Sequence, residues 1–252
     1  KAYVQPDGSI ALFRPDANAL RFAKSAARLT LPELPVTDFV ACVEALVKED
    51  RNWVPSKIGE SLYIRPFMIA TEVGLGVRPS NKALFAIIAT PAAAYFNPSK
   101  AVTVWISTEY VRAALGGTGE AKCGGNYAAS LLAQQQAAQQ GCDQVVWLDA
   151  RERRWVEEMG GMNVFFLVDG QWITPRLTGT MLAGVTRDSI LQMSKDIGVP
   201  AVEGDLTLDE LIAGVQSGKI SEAFACGTAA TIVGISEFQV ENGPTFRFDP
   251  SP

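Results

Sequence analysis

A chain of 252 residues that is 48% hydrophobic can bury a large core and divide into two domains. It contains no histidine, which excludes Ser-His-Asp and Cys-His triads and histidine-ligated zinc or haem. A net charge of −5 argues against nucleic acid or an anionic membrane surface as the main partner.

Lys1-Ala-Tyr-Val is followed by Pro6, Asp7 and Gly8, a turn rather than the apolar centre of a secretory leader. No apolar run is long enough to span a bilayer, and the chain reads as cytosolic. Residues 38–48, after Thr37, read as a helix. Segments 61–70, 83–90 and 101–107 are β-branched, aromatic-rich runs bounded by Gly, Pro or Asn, and read as strands. Between the last two lies 91–100, PAAAYFNPSK, small and proline-bearing, the natural linker. A helix over 127–140 is expected to start at Asn126 and stop at Gly141. Strands at 144–148, 163–168 and 222–226 alternate with a helix over 188–196 and one opened by the capping box Thr207-Leu-Asp-Glu210. This alternation predicts a mixed α/β fold.

The four cysteines, Cys42, Cys123, Cys142 and Cys226, form no C-x-x-C pair, so neither a metal cluster nor dithiol chemistry is expected; free thiols suit a reducing compartment. Without histidine, proton transfer near neutral pH falls to Lys, Tyr, Cys, a carboxylate or a cofactor. Lys122 is the leading candidate. Five of the ten residues from Gly116 to Gly125 are glycine, so the backbone there can approach a bulky ligand closely. A lysine that forms a Schiff base needs such access, although the stretch alone fits a surface loop with a solvated amine better. Its spacing mimics a nucleotide P-loop, but Ala121 replaces the second glycine and Cys123 the magnesium-binding hydroxyl. Two other segments suit a phosphate: 182–189, a small-residue turn into a helix, and 226–230, Cys-Gly-Thr-Ala-Ala after a strand. With the acidic pair Glu157-Glu158 before Gly160-Gly161, the set fits an aldehyde cofactor bearing a 5′-phosphate better than a nucleotide.

Taken in order, PDGSIALFRPDANALRF (6–22), SLYIRPFMIATEVGLGVRP (61–79), GGTGEAKCGGNYAASLLAQ (116–134), EEMGGMNVFF (157–166), LAGVTRDSIL (182–191) and FACGTAA (224–230) closely resemble bacterial branched-chain-amino-acid aminotransferases of fold type IV. The resemblance implies a two-domain α/β architecture like that of D-amino-acid aminotransferase. The divisions are a small-domain remainder over 1–92, a linker over 93–103 and a cofactor domain over 104–252. It implies pyridoxal 5′-phosphate as cofactor, no metal, and transamination of leucine, isoleucine and valine with 2-oxoglutarate by a cytoplasmic homodimer. Lys122 matches the lysine that carries the cofactor, and Glu158 the partner of its ring nitrogen. Tyr127 matches the tyrosine near its phenolic oxygen. Arg21, Val185, Thr186 and Thr228 match the phosphate site; Tyr63, Arg65, Tyr95, Gly161 and Ala229 match the substrate pocket. Tyr63 and Arg65, two apart on one strand, are expected on the same sheet face. D-amino-acid aminotransferase, aminodeoxychorismate lyase and a non-catalytic cofactor-binding relative share the fold; SLYIRP and GVRPS favour the branched-chain branch. In the family Lys1-Ala-Tyr lies inside a longer segment, so part of the small domain is expected upstream. More residues usually separate Thr231 from Phe238, so a gap is expected near Val233-Gly234-Ile235.

Overall fold

The computed structural model describes residues 1–93 and 100–248. It divides into two compact units, Lys1–Tyr95 and Phe96–Pro252. Tyr95 and most of the 93–103 segment lie outside the described residues; Pro91 and Ala92 close a strand.

The first unit pairs an antiparallel sheet with two helices. Strands β1 (Ala2–Val4), β2 (Ile10–Leu12), β3 (Ser61–Ala70) and β4 (Ala83–Ala92) lie in the order β2-β1-β3-β4. Helices α1 (Pro15–Arg28) and α2 (Val36–Glu49) pack on it through Phe22, Phe39 and Phe85, whose ring centroids lie 5.2–5.7 Å apart. Leu62 and Ile64 of β3 join the cores beneath the helices. Because side chains alternate along a strand, Tyr63 and Arg65 occupy the other face. Their expected shared orientation holds: the Arg65 guanidinium sits 5.4 Å from the Tyr63 ring centroid.

Helix α1 is absent from the expected elements. Its Pro15, pre-set for a first helical turn, follows Arg14 at φ 45°, in the left-handed region, so the helix starts from a sharp backbone turn.

The second unit is built on a nine-stranded sheet. Its strands are β5 (Val102–Ser107), β6 (Gln144–Leu148), β7 (Val156–Met159), β8 (Met162–Val168), β9 (Gln171–Thr174), β10 (Ala201–Glu203), β11 (Ile220–Gly227), β12 (Thr231–Val240) and β13 (Thr245–Arg247). The path β8-β11-β12-β5-β6-β7 closes on itself because β7 also pairs with β8. Strand β6, Gln-Val-Val-Trp-Leu, is covered on both faces. Val146 and Leu148 point into the principal core with Val104, Ile106, Phe166 and Phe238, whereas Val145 and Trp147 pack against Ala133 and Ala137 of helix α4 (Leu131–Gln139). A strand covered on both faces reads as a continuous apolar run.

Two local expectations change. The helix over 127–140 is two: α3 (Gly124–Ala128) and α4, separated at Ala129-Ser130. The Ser130 hydroxyl donates to the Tyr127 carbonyl at 2.7 Å, a local bond that competes with helix continuation. The helix expected from Asp188 is α5 (Val185–Met193), starting at the Gly184 cap. Residues 231–240 form one strand, β12, antiparallel to β11 and parallel to β5. The Thr207 capping box is present at α6 (Leu208–Gln216), with the hydroxyl accepting from Glu210 N and the Glu210 carboxylate accepting from Thr207 N. Thr207→Ala should destabilise this unit by about 1 kcal/mol, read as a shift in the urea midpoint at constant slope.

Candidate functional site

One register row of the large sheet organises the site. Glu158 of β7 pairs with Asn163 of β8, which pairs with Cys226 of β11. The two-residue turn Gly160-Gly161 and the turn beginning at Thr228 follow directly on this row. The acidic segment and the Gly-Thr-Ala segment, far apart in sequence, therefore meet at one edge of the fold.

The loop before α3 presents Lys122. Asn126, read from sequence as a helix cap, instead lies inside α3 and is buried. Its amide donates to the Thr118 and Ala121 carbonyls, both at 2.8 Å, and its oxygen accepts the Thr118 hydroxyl at 2.8 Å. These bonds fix the loop on either side of the lysine. Gly119 explains part of the glycine richness: a Cβ there would overlap the Thr180 carbonyl. Gly124 and Gly125 meet nothing in the space a Cβ would take, which leaves the chain beside Lys122 open.

Lys122 Nζ lies 2.8 Å from Tyr127 Oη, and both side chains are exposed. The Tyr127 ring packs over Gly161, where a Cβ would stand 3.2 Å from Cε1. Lys122, Tyr127, Glu158, Gly161, Arg112 and Leu182 line one pocket. The structure thus brings together Lys122, Tyr127, Glu158 and Gly161 of the residues named from sequence.

Glu158 is the buried acid of this pocket, 2% exposed. Its Oε1 accepts the Leu182 N–H at 2.7 Å and its Oε2 faces Arg112 Nη2 at 3.4 Å. Burial nevertheless dominates and raises its pKa to about 7, against the opposing pull of Arg112, the Leu182 amide and Lys122; neighbouring Glu157 adds to the rise. A carboxyl in that state takes or gives a proton near neutrality and is poised to meet a cationic partner. Beside it, burial pushes the Cys226 thiol up to about 12, so this cysteine is no nucleophile.

Arg112 and Asn163 were not singled out from sequence. Arg112 bridges Glu158 to the Thr180 carbonyl at 2.5 Å. Asn163 donates to the Leu182 carbonyl at 3.1 Å, and its Oδ1 occupies the space a Cβ on Gly184 would need. No local motif marks either residue, since their partners lie on other strands and turns.

The remaining candidates fall in two places. Val185 and Thr186 open α5, where Gly184 offers no side-chain cap and leaves the first-turn N–H groups without one. Such a terminus favours an anion. Thr228 and Ala229 are half-buried in the turn after β11, against which α5 packs. Arg21 lies on α1 of the first unit, where its guanidinium donates to Asn18 Oδ1 at 3.2 Å. Tyr63 and Arg65 belong to β3, as described above. Among the described residues no cluster of His, Cys, Asp and Glu could hold a metal ion, and no helix is long and apolar enough to cross a membrane.

The model of the class IV aminotransferase family matches residues 3–238. A probable branched-chain-amino-acid aminotransferase of Streptomyces coelicolor is 57% identical over 234 residues, 92% of this chain and 65% of that protein. The chain thus spans about two thirds of the length of that curated relative. Among solved structures, the branched-chain aminotransferase of the archaeon Thermoproteus uzoniensis with norvaline superposes with a TM-score of 0.80 at 28% identity, over 96% of this chain and 78% of that one. The T.th. branched-chain amino acid aminotransferase with pyridoxamine 5′-phosphate gives 0.78 at 29% identity, over 94% and 74%. With the family model covering nearly its whole length, the chain belongs to the class IV aminotransferases.

Proposed function

We propose that this protein transfers the amino group of L-leucine, L-isoleucine and L-valine to 2-oxoglutarate, using pyridoxal 5′-phosphate held on Lys122. The observation that carries the reading is the Lys122–Tyr127 pair, 2.8 Å apart, opening on the same pocket as buried Glu158. The donor set fits the cofactor: an accessible amine, a phenol beside it, a buried acid held by Arg112, and an uncapped helix start for a phosphate. The names of relatives, and the norvaline and pyridoxamine 5′-phosphate in the solved neighbours, support the same assignment.

When bound, the cofactor supplies a carbonyl that condenses with amines and a ring that accepts electron density as a substrate Cα–H bond breaks. The chain's own groups do the rest. Lys122 Nζ would hold the cofactor's carbonyl carbon and would move a proton at the substrate carbon, the base that histidine would otherwise be. Tyr127 Oη hydrogen-bonds that amine and orients it. Glu158 would keep a proton on the ring nitrogen through a charge-assisted hydrogen bond. Val185 and Thr186 N–H groups, the Thr228 hydroxyl and Arg21 are assigned to the phosphate. Tyr63, Arg65, Tyr95, Gly161 and Ala229 are assigned to the substrate, with a homodimer as the working assembly. Each amino acid should be assayed with 2-oxoglutarate: turnover of the three branched substrates above alanine and D-amino acids is expected. Equal or greater turnover of D-alanine would overturn it.

Arg65 is assigned to the distal carboxylate of glutamate and 2-oxoglutarate, with Tyr63 as the apolar wall that receives branched side chains. Arg65→Ala should weaken the glutamate half-reaction more than the leucine half-reaction, by about 1.5–3 kcal/mol, the range of a hydrogen bond to a charged group. Equal losses in the two, followed separately by cofactor absorbance, would assign Arg65 a structural role.

A further inference from the structure

Glu157 is a second buried carboxylate beside Glu158, 7% exposed, and it does not line the Lys122 pocket. Its Oε1 accepts the Thr180 hydroxyl at 2.6 Å, and Thr180 is itself 3% exposed. Two residues on, the Leu182 N–H donates to Glu158 at 2.7 Å. Arg112 completes the arrangement by reaching both the Thr180 carbonyl and Glu158. The segment 180–182 is therefore gripped by two consecutive acids of one strand, a hydroxyl on one and an amide on the other. We propose that Glu157 is a positioning residue: by accepting the Thr180 hydroxyl it sets segment 180–182 where the Leu182 N–H and Arg112 both meet Glu158. The claim that Glu158 then serves a cofactor rests on the function proposed above; the clamp itself does not.

Four charged or titratable groups face Glu158 from the elements around it: Arg112 after β5, Lys122 before α3, Glu157 on its own strand and Cys226 on β11. A hydrogen bond to the ionised form lowers a carboxyl's pKa, whereas a neighbouring negative charge raises it. Losing the clamp and losing the Glu157 charge therefore move Glu158 in opposite directions. Thr180→Val removes the hydroxyl at nearly constant volume and keeps both acids. Glu157→Gln keeps an oxygen acceptor for Thr180 and removes the charge.

The protonation of Glu158 can be followed in cofactor-free protein by infrared difference spectroscopy, as the carboxylic C=O band that Glu158→Gln deletes. Thr180→Val should raise its midpoint by about one pH unit, the scale of one such hydrogen bond. Glu157→Gln should leave the midpoint in place or lower it. A midpoint unmoved in folded Thr180→Val, or raised equally by Glu157→Gln, overturns the clamp. Titration with pyridoxal 5′-phosphate, read by absorbance, separates the two ideas. Uptake by the parent with an unmoved Thr180→Val midpoint sinks the clamp alone. A parent that takes up no cofactor sinks the proposed function, and the infrared titration still decides the clamp.

Discussion

Lys122→Ala should reduce transamination by at least about a thousandfold, since a nucleophile and a general base are lost in one side chain. Much of the affinity for the cofactor's phosphate should survive. The assigned anion contacts come from the start of α5, the turn after β11 and Arg21 of α1, and none of them is made by the Lys122 side chain. In the parent protein, borohydride reduction followed by peptide mass mapping should place a pyridoxyl group on Lys122, and the variant should show no label there. The geometry favours this lysine. Its amine has a phenolic partner at 2.8 Å and an open glycine backbone beside it, while Asn126 fixes the loop that carries it. Labelling of another lysine in the parent, or turnover by the variant within tenfold of the parent, would remove Lys122 from its assigned role.

How much of this was legible in the sequence depends on where each residue's partners lie. Strands β3 and β6 have the bounds that periodicity and flanking Gly, Pro and Asn predict, because their signals are local. The Thr207 capping box is local too, and is present as read. Lys122 stood out because the loop that exposes it is made of adjacent glycines. Arg112 did not. Its importance comes from Thr180 and Glu158, which only the folded sheet brings to it. Asn126 was misread for the same reason: its residue type suits a cap, but its tertiary bonds to 118 and 121 place it inside α3. At the split between α3 and α4 the Ser130 hydroxyl bonds the Tyr127 carbonyl, a local competitor that apolar periodicity does not report. The row Glu158–Asn163–Cys226 is a matter of strand register, which no single segment specifies.

Glu158→Gln should bind pyridoxal 5′-phosphate and yet lose about 2–4 kcal/mol of transition-state stabilisation, by analogy with the loss of one preorganised oxyanion donor. Glutamine fills the same space and can still accept the Leu182 N–H, so the deletion is one of charge. On the proposed function, the ring nitrogen would then have no anion to hold its proton, and the barrier to breaking the substrate Cα–H bond would rise. The same charge leaves a mark on stability when no cofactor is present. Burial raises the folded-state pKa of Glu158 from the ordinary 4.5 to about 7, so between these limits the folded protein keeps a proton that the unfolded chain has released. Stability contributed by this group therefore falls as pH rises through that window. The cofactor-free glutamine variant has no such proton to lose, and its stability relative to the parent should climb from pH 4.5 to pH 7, measured by urea unfolding. Adding pyridoxal 5′-phosphate should reverse the order, because a protonated ring nitrogen stabilises the ionised carboxylate that burial penalises. Parallel stability curves for parent and variant, together with near-parental turnover, would mean that Glu158 neither titrates in this window nor supports the ring, and would move the pairing role away from it.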